Sequence, residues 1–165
     1  MEQSSRMKTI VVGIGNPILG DDGVGIHIIR SLQKNRDYSD HICFEEAATG
    51  GMNLVDLIHG FDKAILIDAV SFDEKEKGLV ELFSMDSFST LHATNPHDVS
   101  FPEALSLAHQ LGDEEIPHEI CIVGVNIKSN PSEFSESLSP LIQKSVSTAV
   151  TMVDELLKNK MSKNT

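Results

Sequence analysis

Two cysteines are all that this chain of 165 residues contains. Cys43 and Cys121 each lie inside an apolar, strand-like run; their separation excludes a zinc knuckle, and their setting predicts buried, reduced thiols. Basic residues are also scarce. Thirteen lysines and arginines against 25 aspartates and glutamates leave a formal net charge of −12, which excludes roles that rest on binding nucleic acid phosphates or anionic lipid. No apolar stretch approaches the roughly 20 residues needed to cross a bilayer, so no membrane insertion is expected. Residues 1–6 lack the apolar core of a secretory leader, and the default address is cytoplasmic. Internal repeats and low-complexity tracts are absent.

What is present is an ordinary globular balance, 40% hydrophobic and 23% charged, at a length that suits one domain with one proper core. That domain is placed at residues 7–158, with flexible ends at 1–6 and 159–165. Residues 8–12 form a strand with almost no polar positions, the pattern of burial on both faces in a parallel sheet. A helix follows, its apolar face set by Val24, Ile28 and Leu32 with Ile29 beside them. A second strand covers 42–46, and Thr49 is placed to cap a short helix through Leu54, Val55 and Ile58 that Gly60 ends. The third strand, 63–67, is the most apolar run in the chain and ends on Asp68. Residues 78–83 alternate weakly, as an edge strand with one wet face would, possibly antiparallel. Residues 84–99 are irregular; then Ser100, Pro102, Glu103 and Gly112 frame another helix. A strand over 120–125 and a long helix from Pro140, striped by Ile142, Val146, Ala149, Val150, Val153, Leu156 and Leu157, complete the chain. Strands alternating with helices predict an α/β fold: a mainly parallel sheet between two helical layers.

The chain is organised around Gly13-Ile14-Gly15-Asn16-Pro17-Ile18-Leu19-Gly20-Asp21-Asp22-Gly23-Val24-Gly25, a glycine-rich turn between the first strand and the first helix. Glycines there also make dinucleotide-binding turns, but Ile18 stands where the third glycine of that fingerprint belongs. A Gly-Lys-Ser/Thr signature is missing, and two aspartates would repel phosphate from the helix N-terminus. One of the pair is explained as a helix cap, a role that falls to Asp21, which leaves Asp22 to face the crevice at the strand's carboxyl end. The surrounding glycines would admit a substrate backbone.

Asp68 is harder to account for structurally. A carboxylate ending a central apolar strand must be paired, hydrogen-bonded or metal-bound, because burying it bare costs several kcal/mol. Its position is where open α/β sheets collect their sites. Of seven histidines, His27, His59 and His109 fall on helices and His41 and His118 flank strands. His92 and His97 lie in the irregular segment, His97 directly after Asn95-Pro96 and ahead of the framed helix. Asp22, Asp68 and His97 would together suit a divalent transition ion with open positions for water or substrate.

These motifs in combination resemble the hydrogenase maturation proteases, the nickel-dependent endopeptidases that finish [NiFe] hydrogenases. The opening stretch from Gly13 to Gly25 carries the likeness first. Thr49 and Gly51, Ile67-Asp68-Ala69, Asn95-Pro96-His97 and Val123-Gly124-Val125 follow in the family's order. The resemblance spans nearly the whole chain, from Met7 to about Leu157. It implies a three-layer α/β/α sandwich around a twisted five-stranded sheet. It also implies an endopeptidase that removes the C-terminal extension of a hydrogenase large-subunit precursor after nickel insertion. The metal-contacting and catalytic positions of the family fall on Asp22, Asp68 and His97, with nickel delivered in the substrate; Gly15, Asn16, Thr49 and Gly51 fall in its substrate loops. Two segments depart from the family: Glu46-Ala47-Ala48 replaces Asp-Gly-Gly, and Asn126-Ile127-Lys128-Ser129-Asn130-Pro131 replaces a proline- and glutamate-bearing stretch. Two other readings stand beside this one. The first is a metal-independent aspartic-type peptidase using Asp22 and Asp68. The second is a non-catalytic metal-sensing or chaperone module for the large subunit.

Overall fold

The computed structural model describes residues 6–35, 37–48, 52–88, 101–128 and 133–158. Five strands, β1 (Thr9–Ile14), β2 (Ile42–Ala47), β3 (Lys63–Val70), β4 (Val80–Ser84) and β5 (Glu119–Asn126), form one sheet in the order β2-β1-β3-β5-β4. The first three pairings in that order are parallel, and in the fourth β4 runs antiparallel along β5. Among the described residues five helices accompany them: α1 (Val24–Lys34), α2 (Met52–Ile58), α3 (Met85–Phe88), α4 (Phe101–Gln110) and α5 (Pro140–Lys158), with a 3-10 turn, Gly20–Gly23, leading into α1.

Alternation along β3 divides the core in two. Ala64, Leu66 and Val70 face Leu54, Val55 and Ile58 of α2 and Phe101, Ala104, Leu105 and Ala108 of α4. Ile65 and Ile67 face Val24, Ile28, Ile29 and Leu32 of α1 and Ile142, Val146, Ala149 and Val153 of α5. The fold is therefore the expected helix–sheet–helix sandwich, with β3 at its centre and buried on both faces.

Several local expectations are corrected. β1 and β3 each run further than hydropathy alone suggests. Ile14 still pairs with Ala47, and the three residues after Ile67 stay in register with Gly124, Val125 and Asn126 of β5. Asp68 is thus within a strand and not at its end. Residues 85–88 of the segment read as irregular form the short helix α3. Cys43 and Cys121 are free thiols, as expected, but only half-buried. Gly60 and Gly112 do adopt positive φ, 85° and 75°, where α2 and α4 give way to turns. The proposed caps at Thr49 and Ser100 lie outside the described residues.

Candidate active site

The strand order places a switch point between β1 and β3, since the chain winds from β1 outward to β2 and then crosses back to β3. Ligands of open α/β sheets bind in the crevice outside the carboxyl ends of such strands. The last β1–β3 pair is Gly13 with Ile67. The next residue of β3 is Asp68, and alternation aims its side chain to the α2 and α4 face. Across from it on β5 is Gly124, whose side-chain space is filled by the ring of Phe83, with Cε2 at 2.6 Å from an ideal Cβ.

Asp22 reaches the same crevice from the loop after β1. Two glycines make this approach possible. A Cβ on Gly25 would lie 2.4 Å from the carbonyl oxygen of Ile14 and 2.5 Å from that of Ile67. On Gly15, at φ 148°, it would lie 2.2 Å from the carbonyl oxygen of Asp22. The start of α1 is therefore pressed directly onto the ends of β1 and β3. At these positions the missing side chains make room for the protein's own backbone, where the sequence alone suggested room for a substrate. Asn16 fixes the carboxylate of Asp22, its N–H donating to Oδ2 at 3.0 Å. Gly15 is held in turn by its N–H bond to the Ala47 carbonyl (3.0 Å).

The two carboxylates interact. Burial first, and then the charge of Asp22, push the Asp68 pKa up from the usual carboxylate range to about 8, against the pull of the Ala69 N–H on its carboxylate. The charged form of Asp68 is therefore disfavoured in the folded chain. Two carboxylates so placed are oxygen donors suited to a divalent ion, whose charge would relieve the repulsion between them. Among the described residues no three His, Cys, Asp or Glu side chains cluster closely enough to hold a metal. His97, Thr49 and Gly51 lie outside the described residues.

Asp21 does something the sequence did not reveal. Neither the 3-10 turn nor α1 is capped by a side chain, so the expected helix-capping role is not its own. Instead Asp21, 8% exposed, accepts the N–H of Ser139 (2.7 Å) at Oδ1 and its hydroxyl (2.8 Å) at Oδ2. Lys77 Nζ stands 3.4 Å from the same Oδ2. Ser139 immediately precedes Pro140, the first residue of α5. The buried Asn126 was also missed. Its Oδ1 accepts from the N–H groups of Phe72 (2.9 Å) and Lys128 (3.2 Å), while Nδ2 donates to the carbonyls of Phe72, Lys75 and Glu76. Asn126 thereby moulds the loop that follows the Asp68 strand. No periodicity signals such residues, because their partners are remote in the chain.

An acidic pair in a switch-point crevice of a doubly wound sandwich places this chain in the class of open α/β folds, which bind their ligands at the carboxyl edge of the sheet. Comparison with known proteins supplies the family. The family model for HycI, hydrogenase maturation protease, matches residues 26–156. The chain is 30% identical over 156 residues to the coenzyme F420 hydrogenase subunit delta of Methanothermobacter thermautotrophicus, covering 90% of this chain and 94% of that one. It is 29% identical over 155 residues to the hydrogenase expression/formation protein HupD of Thiocapsa roseopersicina (93% and 69%). With the hydrogenase 2 maturation protease of Escherichia coli it shares 26% over 138 residues (82% and 78%). In fold it matches the hydrogenase maturating endopeptidase HybD from E. coli at a TM-score of 0.79 and 24% identity, over 92% of this chain and 93% of that one. This chain belongs to the hydrogenase maturation protease family, and it is a hydrolase of the endopeptidase type. No helix among the described residues is long and apolar enough to cross a membrane.

Proposed function

We propose that this enzyme removes the C-terminal extension of a [NiFe] hydrogenase large-subunit precursor after nickel insertion, and that Asp22, Asp68 and His97 recognise the nickel carried by that substrate. The observation that supports this most is the placement of two carboxylates at the point where the sheet opens: Asp68 follows the last β1–β3 pair, and Asp22, fixed by the Asn16 N–H, lies close enough for its charge to raise the Asp68 pKa. Such a pair gains most from a substrate that brings a doubly charged ion with it. His97 precedes Phe101 by four residues, a span of at most about 14 Å of chain, and Phe101 packs on the face to which Asp68 points. In this reading the precursor's thiolates hold the nickel and the two carboxylates add oxygen donors. An ionised carboxylate then takes a proton from a water that adds to the scissile carbonyl carbon; the C–N bond breaks and the departing amine is protonated. The reaction is assigned to the cytoplasm, in keeping with two free thiols.

The test is to incubate nickel-loaded and nickel-free precursor with wild type and Asp22→Asn and to weigh the products by mass spectrometry. Cleavage of the loaded precursor alone, lost in the variant, is expected; efficient cleavage of nickel-free precursor would overturn the reading. One observation favours a second mechanism for the same cut. Two neighbouring carboxyl groups, one of them buried and with its pKa raised by burial and by the charge of the other, also describe an aspartic-type dyad, which activates water without a metal. In that case cleavage survives both a chelator and His97→Ala.

A further inference from the structure

The segment 133–139, between β5 and α5, is fastened to the Asp22 loop at two points. At Ser135 a parallel bridge to Leu19 is closed by the Gly20 N–H donating to the Ser135 carbonyl (2.7 Å) and the Ser135 N–H donating to the Ile18 carbonyl (2.8 Å). At Ser139 both the amide and the hydroxyl donate to Asp21. The register of the bridge brings the backbone of Phe134 level with that of Ile18. Both side chains stand in water, Phe134 at 82% and Ile18 at 45% exposure. The backbone is thus pinned by hydrogen bonds, while the two large apolar groups stay largely uncovered among the described residues.

Burial does not account for this arrangement, whereas binding does. An aromatic side chain on a pinned backbone loses little freedom when it is covered, the property that makes such residues anchors of protein contacts. Its place is set by the site. The Ile18 N–H donates to Asn16 Oδ1 (3.2 Å), and the Asn16 N–H donates to Asp22 Oδ2. The apolar pair is therefore two hydrogen bonds from a carboxylate proposed to act in cleavage. A protein chain whose peptide bond lies at Asp22 continues on both sides of that bond, and it advances only about 3.3 Å per residue. A self-association site is a poorer account, because two side chains fall far short of the roughly 800 Å² per partner of a stable interface.

We propose that Ile18 and Phe134 form an apolar jaw that seats a hydrophobic side chain of the protein substrate within a few residues of the bond cut. This rests on the reading of Asp22 given above. The experiment uses the full chain and a purified, nickel-loaded [NiFe] hydrogenase large-subunit precursor, comparing wild type with Phe134→Ser, Ile18→Ser and Phe134→Leu. Leu111→Ser, at a 77% exposed position beyond α4, serves as the control. Each serine variant raises KM about tenfold and leaves kcat within about twofold. Phe134→Leu recovers most of the loss, the control matches wild type, and all melt at the wild-type temperature. Unchanged kcat/KM in both serine variants overturns the proposal, as does a loss confined to kcat. So does a change of oligomeric state with KM preserved. If wild type itself leaves the precursor uncut, the proposed function fails. The jaw is then judged by precursor binding alone, where equal affinity of wild type and Phe134→Ser overturns it.

Discussion

Gly25 at the start of α1 lies against the carbonyl of Ile67 so closely that a Cβ would come within 2.5 Å of that oxygen. Ile67 immediately precedes Asp68, so this contact fixes how far the Asp22 loop stands from the second carboxylate. Because the obstructing atoms, on Ile14 and Ile67, are all backbone in a sheet, they cannot yield. Gly25→Ala is expected to cost roughly 3 kcal/mol or more by overpacking, read as a lowered urea midpoint. Activity should fall further than folding alone explains, measured under conditions where the variant is still folded.

The proton on Asp68 makes stability depend on pH. Folded Asp68 keeps it to about pH 8, whereas the unfolded chain releases it near the ordinary aspartate value of 3.8. The folded state therefore binds more protons between these limits, and the contribution of Asp68 to stability falls as pH rises from about 4 to about 8 and is level above. In a chelating buffer, Asp68→Asn should remove this slope. The variant should be more stable than wild type at pH 8, by up to several kcal/mol, and nearly equal to it at pH 4. Equal denaturation midpoints across that range would contradict a raised pKa.

Asn126 is 1% exposed and holds the 71–79 loop through its side chain. Asn126→Ala leaves the N–H of Phe72 and three carbonyls without that partner, at an expected cost of roughly 2–4 kcal/mol. Hydrogen exchange should show the loss first at Phe72, whose amide donates to Oδ1. The amides of α2, which Asn126 does not touch, should keep their protection until global unfolding.

Both thiols are predicted to be slow nucleophiles. Burial pushes the Cys121 thiol up to about 11, with Lys63 opposing and Glu119 adding to the rise. Cys43 is raised by burial and then by Glu45. At pH 8, iodoacetamide should label Cys121 in the folded protein at least about tenfold more slowly than in the urea-unfolded chain, and Cys43 more slowly too, since only the thiolate reacts. Rapid labelling of Cys121 in the folded state would show that its surroundings are open.

Much of the layered architecture was legible in the sequence. β3 reads as buried on both faces because it has no polar residue between Lys63 and Asp68; β4 reads as an edge because Glu81 interrupts it. Strand ends were less legible. Hydropathy stops at Asp68, but the ladder does not, because the backbone of 68–70 still finds partners on β5. Of the site, Asp22 and Asp68 were recognisable as carboxylates in costly positions. Asp21 was misread because an aspartate ahead of a helix is usually a cap, and no local pattern announces a partner 118 residues away.

By itself, then, the sequence determined the alternation of strands and helices, the family, and the acidic residues that call for a reason. These follow from short-range rules: periodicity, glycine, and the cost of burying charge. Only the tertiary structure decided that Asp21 ties the loop to the start of α5. It also decided that the glycines make room for backbone and that Phe134 comes level with Ile18. Each of these depends on contacts between distant segments, whose geometry is set by packing of the whole sheet and not by the residues on either side.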